Sequence, residues 1–197
     1  MNPELRSKWE ARYRGAQPGA PASSLIEVMP LLPRGRALDV AAGDGANAVA
    51  LARAGCDVIA VDFAAAAMCN LAAYARQHDL AIFPLVADLE AGLPLRPGHF
   101  DVVLNIRYLD RALIPQLKAA LRPGGMLFFD TFLVDQLAFG HPSNPQFMLD
   151  HYELRDLLSD MDLLRYREGL VVHSEEKREW RAAALARKPI TESHDKA

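Results

Sequence analysis

Between residues 37 and 132 short apolar runs alternate with helical stretches, and this alternation constrains the fold more than any other feature of the chain. The runs are Ala37-Leu38-Asp39-Val40, Val58-Ile59-Ala60-Val61-Asp62, Ile82 to Val86, Phe100 to Asn105 and Met126 to Phe132. A helical stretch to Ala54, closed by Gly55, follows the first run, and an Ala-rich stretch to about His78 follows the second. In the latter, Met68, Leu71 and Ala75 fall at i, i+3 and i+7, on one helix face. A further helix is predicted before the fifth run, where Leu113, Leu117 and Leu121 keep a four-residue step. Strands alternating with helices imply a parallel sheet in an α/β fold. Runs that are apolar almost throughout imply that helices cover both faces of the sheet. Two late runs, about 165–173 and 179–187, are expected to pair as an antiparallel hairpin across Glu175-Glu176-Lys177.

The flanks carry weaker signals. Asn2-Pro3 suits the start of a helix, with Leu5, Trp9 and Tyr13 four residues apart on one face. Residues 15–23 are rich in Gly and Pro and are predicted to be a loop. Ser24 with Glu27 has capping-box spacing for a short helix that Pro30 and Pro33 would end. Asp150 with Glu153 signals another helix start, with Leu154, Leu157, Leu158 and Met161 as its apolar face. The N-terminus lacks the apolar core of a signal peptide, and no apolar run is long enough to span a bilayer, so the expected compartment is the cytoplasm, with no membrane association. Two cysteines in 197 residues are too few for a disulfide framework. The six histidines lack metal-ligand spacing, so no metal site is expected, and no Gly-x-Ser-x-Gly elbow marks a hydrolase. A net charge of −3 argues against an obligate nucleic-acid binder. Glu4 and Glu10 break up the cluster Arg6, Lys8, Arg12 and Arg14, which favours a solvated helix over a polyanion-binding one.

Ligands in doubly wound folds bind beyond the carboxyl ends of the strands, near the topological switch point. The first such turn reads Asp39-Val40-Ala41-Ala42-Gly43-Asp44-Gly45-Ala46-Asn47, and Asp62 ends the next strand, 19 residues after Gly43. An acidic residue at that distance can accept hydrogen bonds from ribose hydroxyls. Gly43-x-Gly45-x-x-Ala48 also satisfies the dinucleotide fingerprint, so spacing admits two cofactors. Charge separates them. A pyrophosphate against this turn would face the carboxylates of Asp39 and Asp44, at a cost of a few kcal/mol, on the order of that for two unit charges at close range near a surface. S-adenosylmethionine, with a sulfonium, an ammonium and no phosphate, suits the turn.

The chain resembles the class I S-adenosylmethionine-dependent methyltransferases, and five elements in order carry the resemblance. Asp39-Val40-Ala41-Ala42-Gly43-Asp44-Gly45 is similar to the family's acidic-x-x-x-Gly-x-Gly loop, and Val61-Asp62-Phe63 to its ribose-binding strand end. Val86-Ala87-Asp88-Leu89 is similar to the adenine-contacting segment, Phe100 to Asn105 to the fourth strand, and Leu121-Arg122-Pro123-Gly124-Gly125-Met126-Leu127 to the turn into the fifth. Asn47 departs from the pattern, since many members have a small residue there. Trp9-Glu10-Ala11-Arg12-Tyr13, and Tyr108-Leu109-Asp110-Arg111 with Asp130-Thr131-Phe132, are similar to tellurite-resistance and small-molecule methyltransferases.

The resemblance implies a Rossmann-like fold in one domain, with a core that binds S-adenosylmethionine over 37–132. Residues 1–24 would be an N-terminal helix and loop acting as a lid, 133–189 an acceptor-side segment with the hairpin, and 190–197 a frayed tail. Asp62 would bind the ribose, the alternative being a helix N-cap. Asp88 and the Leu89 N–H would bind adenine, the alternative being a solvated turn. Asp39 would fix the loop and attract the cofactor's ammonium, the alternative being a buried structural Asp. Ala41, Gly43, Gly45, Phe63 and Asn105 would line the same site. Trp9, Arg12 and Tyr13 would close over the cofactor, with Arg12 pairing its carboxylate, or else form a packed helix with Arg12 in solvent. Arg107 and Tyr108 would face the acceptor, or else be a surface Arg and a packed Tyr. Residues 139–145 would help to shape the acceptor pocket. No residue stands out as a general base; Tyr108, Asp130, His141 and His151 are conceivable. The expected activity is in-line methyl transfer to a small molecule. The alternatives are methylation of RNA or protein, an NAD-dependent reductase, and a catalytically silent cofactor-binding module.

Overall fold

The apolar alternation is realised as a seven-stranded sheet. The structure, a computed structural model, describes residues 3–174 and 178–190. The strands are β1 (Arg36–Val40), β2 (Asp57–Asp62), β3 (Ile82–Val86), β4 (Phe100–Ile106), β5 (Leu121–Phe132), β6 (Asp162–Val172) and β7 (Arg178–Arg187). They lie in the order β3-β2-β1-β4-β5-β7-β6, with β1 to β5 parallel and β7 antiparallel to both β5 and β6. The chain builds outward from β1 to β3 and then returns to place β4 on the other flank of β1. The switch point therefore lies between β1 and β4, with the glycine loop at its mouth.

Among the described residues six α-helices accompany the sheet: α1 (Pro3–Tyr13), α2 (Ser23–Val28), α3 (Ala46–Arg53), α4 (Ala65–Gln77), α5 (Ile114–Ala120) and α6 (Glu153–Leu157). Alternate strand residues feed two cores. Val102, Leu104, Ile106 and Phe128 pack with α2, α3 and α4 on one face. Val103, Leu127 and Phe129 pack with α5 and α6 on the other. Every residue of β4 is buried, as expected for a central strand covered on both sides. Among the described residues no helix is long and apolar enough to cross a membrane.

The structure corrects three sequence expectations. Leu121 does not end the helix before β5; it opens β5, opposite Phe100. Arg122 precedes a proline, which disfavours helical backbone there and draws Leu121 and Arg122 into extended chain. Ser24 does not cap α2. The helix begins at Ser23 without a side-chain cap, and the Ser24 hydroxyl donates instead to Asp130 across the sheet end. Asp150 does not cap α6, whose N-cap is Tyr152 in the left-handed region (φ 65°). Glu153 does reach back, accepting from the Asp150 N–H at 2.8 Å. The predicted hairpin is present as β6 and β7, while its tip at 175–177, the capping residue Asn2, the Leu5 side chain and the tail from 191 lie outside the described residues.

Candidate active site

The turn after β1 is a chain of local necessities. Ala41 (φ 52°), Gly43 (φ 58°) and Gly45 (φ 80°) all have left-handed backbone. Asp62, at the end of β2, clamps this turn: its Oδ2 accepts from the Gly43 N–H at 2.9 Å, and its Oδ1 accepts from the Ala64 N–H at 2.9 Å. A Cβ on Gly45 would lie 2.5–2.9 Å from three atoms of the fully buried Leu71 side chain. Gly45→Ala is therefore expected to cost about 2–3 kcal/mol of stability, from overpacking and the left-handed backbone together, measured by urea unfolding.

Asp39 lies on β1 beneath this turn. It is 1% exposed, and neither carboxylate oxygen makes a hydrogen bond of good geometry among the described residues, the Ala48 amide being the donor that faces it. Burial pushes its carboxyl up to about 7; the Ala48 amide opposes the rise, and the Asp62 and Asp44 carboxylates add to it. Burial also raises Asp62, against the pull of its backbone donors. The region beneath the glycine turn is thus rich in carboxylates and poor in donors.

The N-terminal segment is fastened across the same turn. Glu10 of α1 accepts from the Ala65 and Ala66 N–H groups at the start of α4 (2.7 and 3.0 Å). Arg6 approaches Asp88 at 3.7 Å, and Asn70 donates to the Tyr13 carbonyl at 2.8 Å. The Tyr13 hydroxyl lies where a Gly43 side chain would be, 2.7 Å from the position of a Cβ. Burial, with Asp62 next, raises the Tyr13 phenol to about 12, so it stays protonated. Beyond the helix, Asp44 accepts from the Gly19 N–H at 3.2 Å, and Asn47 accepts from the Ala22 N–H at 3.0 Å. Asn47 thus fastens the loop that follows α1, at the position where it departs from the family pattern. Trp9 stacks on Tyr13 at 5.7 Å, and the exposed Arg12 lies over the outer face of Trp9 rather than against the glycine turn.

At the end of β3, Asp88 accepts from the Glu90 N–H at 3.1 Å and caps a short 3-10 turn, and Leu89 is buried beside it. Phe63 is half-buried against α4's side of the core. At the end of β4, Asn105 is buried and donates to the Tyr108 carbonyl at 2.6 Å, closing the turn. Tyr108 is half-buried, and burial with the nearby Asp110, Glu90 and Asp88 carboxylates raises its phenol, which makes it a poor base. Arg107 has left-handed backbone (φ 60°) and an exposed side chain. Ala41 and Arg107 are thus two non-glycine residues in a costly conformation immediately beyond the two strands that flank the switch point.

Beyond Arg107 a small, half-open recess lies over β4, β5 and the hairpin, lined by Ser24, Arg107, Asp130, His173, Glu179 and Arg181. Arg181 and Asp130 form a buried ion pair (Nη2–Oδ1 2.9 Å). Glu179 accepts from Arg181 at 3.1 Å and lies 3.1 Å from His173 Nε2 and 3.5 Å from Arg107. Of the conceivable bases, Asp130 is engaged by Ser24 and Arg181. His151 is held at the surface between Asp135 (2.7 Å) and Glu168 (3.0 Å), and His141 is exposed. Residues 139–145 do not line this recess. Sequence reasoning missed His173, Glu179 and Arg181. The signal for the first two was the hairpin register, since Glu179 pairs with Val171 and so lies diagonally across from His173.

The glycine turn at the switch point and the antiparallel last pair of the sheet accord with the class I S-adenosylmethionine-dependent methyltransferases that the sequence resembles. Residues 37–125 match the family described as a methyltransferase domain. It is 33% identical over 121 residues to a malonyl-[acyl-carrier protein] O-methyltransferase of Enterobacter lignolyticus (strain SCF1), covering 59% of this chain and 46% of that protein. It is 34% identical over 117 residues to a ubiquinone biosynthesis O-methyltransferase of Xanthomonas campestris pv. campestris (strain B100), covering 55% and 47%. The chain thus spans about half the length of the curated relatives it matches. In fold it is similar to TehB from Haemophilus influenzae (TM-score 0.74, 20% identity, 85% of this chain and 62% of that one). A structure described as the conversion of a disulfide bond into a thioacetal group during echinomycin biosynthesis is equally similar (TM-score 0.74, 21% identity, 96% and 95%).

Proposed function

We propose that the chain transfers the methyl group of S-adenosylmethionine to a small-molecule acceptor by in-line displacement. The observation that carries this reading is Asp39: a buried carboxylate with no hydrogen bond of good geometry, beside Asp62 and Asp44, is stabilised by a cationic ligand and opposed by a pyrophosphate. When bound, S-adenosylmethionine supplies an electrophilic methyl group on a sulfonium. Asp39 compensates the cofactor's positive charge. Asp62 accepts from the ribose hydroxyls with the lone pairs that Gly43 and Ala64 leave; it does not cap α4, whose N-cap is Ala64. Asp88 and the Leu89 N–H take the adenine edge. Ala41, Gly43, Gly45, Phe63 and Asn105 shape the walls, and Trp9 and Tyr13 on α1 exclude water. Arg12 reaches the cofactor's carboxylate only if it leaves Trp9. Arg107 and Tyr108 stand between the cofactor half of the sheet and the recess over β5 and β7, where the acceptor binds.

On this reading the chain is one domain, with 1–24 as lid, 37–132 as cofactor core and 133–189 as acceptor side, and it works in the cytoplasm. The names of the relatives, both O-methyltransferases, support an oxygen acceptor. Titration calorimetry tests the assignment. S-adenosylmethionine and S-adenosylhomocysteine are expected to bind and NADH not to. Near pH 7 the heat of S-adenosylmethionine binding is expected to depend on the buffer's ionisation enthalpy, because Asp39 releases a proton as it becomes paired. Binding of NADH alone would identify a reductase. Cofactor binding without turnover over a broad acceptor panel would identify a silent module, and turnover of RNA or protein alone would replace the small-molecule acceptor.

A further inference from the structure

We propose that Glu10 is the latch of a strap, residues 6–22, that lifts to admit S-adenosylmethionine and lies down to retain it, so that this carboxylate sets the rate of cofactor exchange. This rests on the methyl-transfer reading above and goes beyond it in naming the residue that governs how long the cofactor stays. With the strap in place Asp39, Gly43 and Asp62 are all buried, Asp39 at 1% exposure and Asp62 at 5%. Arg6 lies 3.7 Å from Asp88, and the Tyr13 hydroxyl covers Gly43. A ligand reaches these residues only when the strap lifts.

The strap is built to move at one end. α2, which follows it, is rooted: Leu25 and Val28 are buried, and Ser24 bonds Asp130. Asp44 and Asn47 hold the adjoining stretch through the Gly19 and Ala22 N–H groups. α1 has no such root. Among its described side chains none is buried; Trp9, Glu10 and Tyr13 are half-buried and the others exposed. Lifting α1 therefore uncovers little apolar surface and breaks chiefly hydrogen bonds that water replaces. Gly15, with left-handed backbone (φ 71°) and open space where a side chain would be, marks the hinge between the two ends.

Glu10 is the strongest tie of the moving end. α4 starts behind Ala64, which offers no side-chain cap, and Glu10 supplies one from α1: its two oxygens accept from the Ala65 and Ala66 N–H groups at 2.7 and 3.0 Å. A carboxylate on the first amides of a 13-residue helix gains from charge assistance and from the helix dipole. The tie from Asn70 to the Tyr13 carbonyl, 2.8 Å long, joins neutral groups. Burial raises the Asp62 carboxyl and Glu10 adds to the rise, so the two carboxylates oppose each other across the strap. An Asp62 engaged by ribose hydroxyls opposes Glu10 less. Cofactor and latch thus strengthen one another, and the coupling is reciprocal.

The test follows association and dissociation of S-adenosylhomocysteine by stopped-flow fluorescence, in a Trp180→Phe parent whose one remaining tryptophan, Trp9, rides on the strap. Glu10→Ala in this parent is expected to release the ligand about tenfold faster or more, the worth of its charge-assisted bonds, with association as fast as before or faster. Hydrogen exchange at the Ala65 and Ala66 amides is expected to lose its ligand-dependent protection. The double variant Glu10→Ala/Ala64→Ser gives α4 a local cap and so separates a latch from a mere helix cap. It is expected to recover the parent's melting temperature while keeping the fast release. Recovery of slow release together with stability would overturn the proposal. So would unchanged release from Glu10→Ala, or faster release with slower association, which would mark damage to the site itself. If the parent bound neither S-adenosylhomocysteine nor S-adenosylmethionine, the methyl-transfer reading would fall, and the strap's role with it.

Discussion

Asp39→Asn is expected to stabilise the ligand-free protein at neutral and alkaline pH while weakening its affinity for S-adenosylmethionine. Folding raises the Asp39 carboxyl from 3.8 to about 7, so the folded state holds a proton there that the unfolded state has already lost. Below pH 3.8 this carboxyl costs nothing. Between 3.8 and 7 stability falls as pH rises, and above 7 the full penalty is present, on the order of 4 kcal/mol for a shift of this size. The Asn side chain does not ionise and escapes the penalty. Thermal melts at pH 8 are expected to show a clear gain over wild type, and melts at pH 4 little or none. Affinity for S-adenosylmethionine is expected to fall by about ten- to a hundredfold, the worth of a charge-assisted contact. Equal melting at both pH values, with affinity retained, would mean that Asp39 is a satisfied structural residue.

Arg181→Met is expected to carry the largest loss of stability of any single change in the recess over β5 and β7. Arg181 and Asp130 are 5% and 3% exposed. The guanidinium donates from Nε to Asp130 Oδ1 at 3.1 Å and lies 4.6 Å from the centre of the Phe132 ring. Removing it strands a buried carboxylate, at a cost of about 3–5 kcal/mol, or a Tm lower by roughly 10 °C for a domain of this size. The double variant Asp130→Asn/Arg181→Met removes the stranded charge and is expected to recover most of the loss, whereas independent sites would add their costs. Cofactor affinity is expected to change little in either protein, because the pair lies across β5 and β7 while the glycine turn lies across β1 and β2.

These two expectations fall on opposite sides of what the sequence reveals. Asp39, Gly43, Gly45 and Asp62 lie within 24 residues, on a strand, a turn and the next strand, and their contacts are dictated by local backbone. The same holds for β2, β3 and β4, whose apolar patterns mark them directly. Local cues failed where a distant contact outbid a nearby one. Ser24 had the spacing to cap its own helix, yet its hydroxyl bonds Asp130, 106 residues away. Leu121 kept helical step with Leu117, yet the proline two residues on and the pairing with Phe100 drew it into a strand.

The amino-acid pattern by itself determined the doubly wound sheet, the switch-point turn and the carboxylates around it, because periodicity and short spacing specify backbone hydrogen bonding directly. Only the tertiary structure decided how the ends of β4, β5 and β7 come together. Insertion of β7 between β5 and β6 carries Glu179 and Arg181 to the ends of β4 and β5, and places His173 against them. The meeting of Asp130 with Arg181 depends on strand order over a separation of 51 residues, which no local signal encodes, whereas His173 and Glu179 meet within one hairpin.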